Sequence, residues 1–179
     1  MSIFDMFSKK QEAVQAAPEQ PAEEENKPEL PPFAKKILVV VDGSKRAYDA
    51  ANYAIALASH LPGCELCAAF VIDVASLDSL MQMHIFVKEE RANFEAELET
   101  KGRRTLEYVR NEGQKYKIDI DTFLLKGRVT SIVMQAVREL KADLLVIAGW
   151  HNGSTRKDTS SIEYQLLLDE ADCPVIVVK

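Results

Sequence analysis

A doubly wound α/β fold, with a five-stranded parallel sheet covered by helices on both faces, follows from two patterns in the 179-residue chain. Short apolar runs rich in Val, Ile and Leu recur five times after Lys35, and segments with apolar residues at helical spacing separate them. Near-continuous apolar runs suit strands buried on both faces. Their alternation with helices implies right-handed crossovers, and therefore parallel strands.

Each element can be justified in turn. "KKILVVVD" (35–42) is a β-branched run that ends in the turn Asp42-Gly43-Ser44. The following segment repeats small or apolar residues at Ala47, Ala51, Ala54, Ile55 and Ala58, the spacing of a helix, and Pro62-Gly63 closes it. "CELCAAFVID" (64–73) is the second strand. After a stretch rich in Leu and Met, residues 88–111 place Phe94, Leu98, Thr105, Leu106 and Val109 on one face of a long helix, with Gly113 near its end. Gly102, in mid-helix, either admits a close neighbour or merely weakens the helix. "IDIDTFLLK" (118–126) begins with strict alternation and reads as the third strand. Gly127 leads into a helix carrying Ile132, Val133, Ala136, Val137 and Leu140. "DLLVIAG" is the fourth strand, 162–170 the last helix, and "PVIVVK" the fifth strand.

Residues 1–33 read differently. The segment 18–33 holds five of the seven prolines and five glutamates, and cannot bury enough apolar surface to offset chain entropy, so it is expected to be a disordered tether. Ahead of it, "MSIFDMFSKK" (1–10) sets Ile3, Phe4 and Phe7 on one helical face with Lys9 and Lys10 behind. It is a candidate foot for a membrane surface or a docking partner, with a frayed terminus as the equal alternative. The expected organisation is therefore an extension over 1–33 and one domain over 34–179.

Charge and cysteines exclude several functions. The net charge is −6, and residues 1–33 supply −4 of it through three lysines, one aspartate and six glutamates, leaving −2 for the domain. With no basic excess, a nucleic acid is not an expected partner. Asp5 interrupts the short apolar start, and no apolar run approaches the ~20 residues that cross a bilayer, so a cytoplasmic protein is expected. Three cysteines suggest no disulfide framework. Cys64 and Cys67 form a C-x-x-C pair, but on a strand that spacing sends them to opposite faces, and no second Cys/His pair completes a metal site. Ordinary buried thiols are the expected outcome, as for Cys173. His60, His84 and His151 lie at no motif spacing from a nucleophile or carboxylate, so no catalytic triad or metal site is expected. Trp150 suits apolar packing at the pocket or a subunit edge.

In an open parallel sheet, ligands bind beyond the carboxyl ends of the strands, where strand order reverses. Asp42-Gly43-Ser44, Val71 to Asp73 and Gly149 should therefore meet in space. Asp73 could alternatively cap the segment after the second strand.

From Lys35 to Lys179 the chain resembles a universal stress protein domain, on "ILVVVDGS", "FVIDV", "KGRVTSIVMQAV" with "ADLLVIAGW", and the closing "CPVIVVK". The resemblance implies strand order 3-2-1-4-5, homodimers formed through the last strand, which begins at Val175 and reaches Lys179, and roles in stress survival and regulation. Some members bind ATP or AMP. Their motif has an Asp after strand one, a Val in strand two, and then Gly-x2-Gly-x9-Gly-Ser/Thr after strand four. Asp42, Val71 and Gly149 match; Asn152 stands at the second glycine, and the final pair falls on Ile162-Glu163. Ser160-Ser161, eleven and twelve residues after Gly149, instead resembles the branch typified by universal stress protein A, generally regarded as not binding ATP.

Ser160-x-x-Glu163 also reads as a capping box, which would set the chain's own carboxylate where a phosphate would sit. Against this, Arg156 and Lys157 carry positive charge into the loop, and Asn152 and Gly153 both tolerate left-handed backbone. The candidate nucleotide pocket is thus Asp42, Gly43, Ser44, Val71, Gly149, Asn152, Gly153, Ser160 and Ser161. No cofactor is expected, with ATP or AMP and Mg²⁺ as the alternative. The leading expectation is a non-catalytic, homodimeric stress-response domain that works through an unknown protein partner; its rival is a nucleotide sensor or slow ATPase.

Overall fold

The computed structural model describes residues 33–82, 88–149 and 159–179. Contacts divide the chain after Pro31, and Pro32–Lys179 is the unit described below. The extension, with its expected foot and tether, lies outside the described residues, as do His84, Trp150 and His151.

Five strands alternate with helices as the hydropathy pattern predicts. They are β1 (Lys36–Val40), β2 (Glu65–Ile72), β3 (Ile120–Lys126), β4 (Leu144–Ala148) and β5 (Val175–Val178). The described helices are α1 (Lys45–Ser59), α2 (Val74–Gln82), α3 (Lys88–Lys115), α4 (Val129–Leu140) and α5 (Thr159–Glu170). All strand pairs are parallel and the order is β3-β2-β1-β4-β5. The order reverses between β1 and β4, where the site was expected.

The sheet divides two cores. Because successive side chains along a strand point to opposite faces, Ile37, Val39 and Val41 face α1 and α3, whereas Leu38 faces the side of α4 and α5. Phe70, Ile55 and Val109 fill the first core; Leu145, Val133 and Leu167 fill the second. The predicted inner face of α1 is buried throughout. At Gly102 the helix α3 rides close on the sheet: a β-carbon there would stand 2.5 Å from Leu124 Cδ1 and 2.8 Å from Phe70 Cδ1. Of the two readings of that glycine, close packing is the one observed.

Two local expectations need correction. Phe94, placed on the inner face of α3, is 39% exposed, because the first turns of that helix extend beyond the sheet and the buried stripe takes hold only from Leu98 onward. Gly113 stands near the end of α3 as expected, two residues before Lys115, and the chain reverses through Lys117 at φ 61°. α5 begins at Thr159 rather than near Ile162, so Ser160 and Ser161 stand within its first turn instead of ahead of it.

At the opposite rim the chain enters β1 under the hold of Asp143. Its carboxylate accepts the N–H of Lys35 (2.9 Å) and of Lys36 (3.0 Å), tying the start of β1 to the residue before β4.

Candidate functional site

Register aligns the strand ends that carry the described part of the expected site. β1 pairs Val40 with Ala69 of β2 and Val39 with Val146 of β4. The ladders end there; carried on at the same offsets, they would set Asp42 level with Val71 on one side and with Gly149 on the other, a row extrapolated from the register at the carboxyl rim.

The β1–α1 turn is built by local bonds. Asp42 Oδ1 accepts the N–H of Ser44 (2.8 Å), an Asx turn that folds the chain back. Ser44 is the N-cap of α1, and its Oγ accepts the N–H of Ala47 (3.2 Å). Between them Gly43 has φ 75°, a left-handed conformation open to glycine at little cost. Asp42 and Ser44 remain exposed, so the rest of the Asp42 carboxylate faces solvent.

Gly149 is held by distant partners instead. Its N–H donates to Val178 O of β5 (2.6 Å), and its carbonyl accepts from Arg46 Nη1 (3.2 Å) in the first turn of α1. A β-carbon at this buried position would meet Val178 O and Lys179 Cγ, each at 3.1 Å. The Arg46 bond fixes the β1–α1 turn against the end of β4. Val71 is half-buried, and packs against the α4–α5 core with Val40, Phe123 and Leu125.

Arg46 was not singled out by the sequence reading, though a signal existed. A cation in the first turn of a helix opposes the macrodipole, so its placement there points to a partner elsewhere. Asn152 and Gly153, with Arg156 and Lys157, lie outside the described residues, and so do the side chains of Ser160, Ser161 and Glu163 that the capping box would use.

Away from this row, the cysteines behave as packing residues. Cys64 packs on the α1–α3 core and Cys67 on the α4–α5 core, the opposite faces that their spacing predicts. All three cysteines are free thiols. Burial pushes the pKa of each thiol upward, with nearby carboxylates adding to the effect, which disfavours the reactive thiolate. His60 Nδ1 hydrogen-bonds Ala56 O (2.8 Å) at the far end of α1, remote from the rim. Asp73 immediately precedes α2, the position its capping alternative requires. Among the described residues no group of three or more His, Cys, Asp or Glu is placed to hold a metal ion, and no helix is long and apolar enough to cross a membrane.

Comparison with known proteins decides the family. The family model described as the universal stress protein family matches residues 34–179. The chain belongs to the universal stress protein family. A universal stress protein of Methanocaldococcus jannaschii is 27% identical over 151 residues, covering 81% of this chain and 82% of that protein. Among solved structures, a universal stress protein family member from Burkholderia pseudomallei is 24% identical and superposes with a TM-score of 0.62, over 80% of this chain and 95% of its own. A family protein of Arabidopsis thaliana, solved with AMP bound, is 17% identical with a TM-score of 0.55, over 81% of this chain and 91% of its own. At these identities the solved structures establish a shared fold. The family match takes in all five strands and the Asp42–Val71–Gly149 row.

Proposed function

We propose that this universal stress protein domain is a non-catalytic regulatory module, working as a homodimer through β5, whose loop after β4 is not adapted to hold phosphate. One observation carries the reading: both backbone groups of Gly149, the first glycine of the expected phosphate loop, are already engaged, the N–H with Val178 O and the carbonyl with Arg46. A phosphate held by a glycine-rich loop needs such N–H groups pointing at it. The departures at Asn152 and at Ile162-Glu163 act in the same direction.

Dimerisation is argued from the edge. β5 is the outermost strand and pairs with β4 on one side; Val175, Ile176, Val177 and Val178 are all only half-buried in the single chain. A bare edge of four β-branched residues invites pairing, and a second copy supplies it with closed two-fold symmetry. Residues 1–10 would then act as two feet per dimer, at a membrane surface or on a protein partner.

The second reading, an AMP or ATP sensor, is favoured by the Asp42–Val71–Gly149 row and by the AMP bound to the Arabidopsis relative. Calorimetry of the full chain with AMP, and with ATP plus Mg²⁺, separates the two. No saturable heat is expected on the first reading, together with a dimer mass under native conditions. Micromolar binding that Asp42→Ala abolishes would replace it with the second.

A further inference from the structure

Four ion pairs among the described residues join into one chain of charges at the carboxyl end of β3. Arg91 donates to Asp78 Oδ1 from Nε (3.1 Å) and from Nη2 (2.7 Å), and to Glu95 Oε2 from Nη1 (3.2 Å). Glu95 turns its other oxygen to Lys126 Nζ (2.9 Å), which also pairs with Glu99 (2.5 Å). Asp78 lies on α2, Arg91, Glu95 and Glu99 lie on the first half of α3, and Lys126 ends β3. These side chains tie three elements together.

The other ion pairs of the described residues are isolated. Lys36–Glu65 joins neighbouring strands, Lys115–Glu112 lies within one turn of α3, and Arg138–Asp172 is a single contact between side chains 63% and 61% exposed. In the chain of charges, Arg91 and Glu95 are only 30% and 22% exposed, and Arg91, Glu95 and Lys126 each meet two opposite charges. Hydrogen bonding to Glu99 and Glu95 raises the pKa of Lys126, and hydrogen bonding to Lys126 lowers that of Glu99, so both stay charged around neutral pH. Salt, which screens charges without removing them, is the variable that acts on such a chain.

The helix α2 depends on this support. It has nine residues, fewer than the ~12–15 at which an isolated helix becomes even marginal in water. Its described anchors are Val74, half-buried against the α1–α3 core, and Leu77, which is 3% exposed. Asp78 follows Leu77 directly, so the Arg91 contact pins the helix beside its buried residue. The first turns of α3 lie ahead of the buried stripe that starts at Leu98, and there the pairs of Glu95 and Glu99 with Lys126 fasten what burial does not.

We propose that this chain of charges is an ionic-strength-sensitive latch. In dilute salt it holds α2 and the start of α3 on the end of β3; as salt rises it weakens, and these two segments open locally while the rest of the domain stays folded. The screening length falls from ~10 Å at about 0.1 M salt to ~3 Å at about 1 M, and part-exposed pairs weaken with it. Apolar burial does not depend on screening, so the two cores persist. Release bares Val74 and Leu77 just beyond β2, an apolar pair that docking of α2 covers. The domain thereby converts ionic strength into local exposure of apolar surface, a device that does not rest on the function proposed above.

Hydrogen–deuterium exchange of the full chain in about 0.05 M and about 1 M sodium chloride tests the latch. Relative to the amides of α4, those of α2 and of the first turns of α3 should exchange about threefold faster in the higher salt. Arg91→Met, which keeps an aliphatic stem, should make α2 exchange fast already in dilute salt and remove its salt response. Asp78→Asn should do the same to α2 and leave the response of the start of α3 in place. Arg138→Met, which breaks an isolated pair elsewhere, should change neither segment. Sucrose at matched osmolality, which screens no charge, should leave α2 protected. The proposal is overturned by an α2 that is unprotected in dilute salt or exchanges equally in both salts, or by acceleration that spreads equally over α4. It is overturned as well by a salt response that survives in Arg91→Met, by equal loss in Arg138→Met, or by sucrose acting as salt does.

Discussion

The ends of β1 and β4 lie side by side at one rim and are stabilised in opposite ways. Beyond β1, Asp42, Gly43 and Ser44 form a turn whose bonds span two or three residues, and which needs little beyond its own sequence. Beyond β4, Gly149 is held by Val178 and by Arg46, residues from distant parts of the chain. The first rim is a local device for starting a helix, and the second is a seam closed by tertiary contact. The contrast bears on function, since the side that would cradle a phosphate is the one whose backbone groups the fold has already engaged.

Substitutions at the two rims test this contrast. Gly43→Ala should have the largest effect, costing about 1–3 kcal/mol in urea unfolding, because φ 75° is unfavourable for alanine and its β-carbon would meet Thr105 Oγ1 at 2.9 Å. A loss under about 0.5 kcal/mol would show that the turn relaxes without strain. Ser44→Ala should cost about 1 kcal/mol by removing the cap, and should speed amide exchange in the first turn of α1 while leaving β4 untouched.

Arg46→Met should cost about 0.5–1.5 kcal/mol, and its exchange signature should fall instead at Gly149 and the end of β5. Equal protection at Gly149 in this variant would show that the seam does not depend on the arginine. Gly149→Ala should change stability least, within about 0.5 kcal/mol, as the entropy removed from the unfolded chain offsets the 3.1 Å contacts.

At the opposite rim, the thiols give a pH signature. Burial raises the pKa of Cys64 and of Cys67, so less thiolate is present at any pH below it than in the unfolded chain. Alkylation of the native chain should run slower than that of the urea-unfolded chain at pH 8, with the gap narrowing as pH rises. Fast labelling of both cysteines in the native state would revive a redox role for the pair.

Local chemistry made much of this protein legible before any coordinates. The β-branched run up to Asp42, the alanine stripe of α1 and the separation of Cys64 from Cys67 follow from periods of two and 3.6 residues, and these hold wherever an element buries one face or both. The turn Asp42-Gly43-Ser44 was readable because its bonds are short-range. Phe94 was misread because helical periodicity assigns a face without saying where the sheet beneath it stops. Arg46 on Gly149, Lys126 between Glu95 and Glu99 and the helix close above Phe70 came only with assembly. Each joins residues far apart in the chain, and their meeting depends on strand order, register and packing distance, which no window of neighbouring residues encodes.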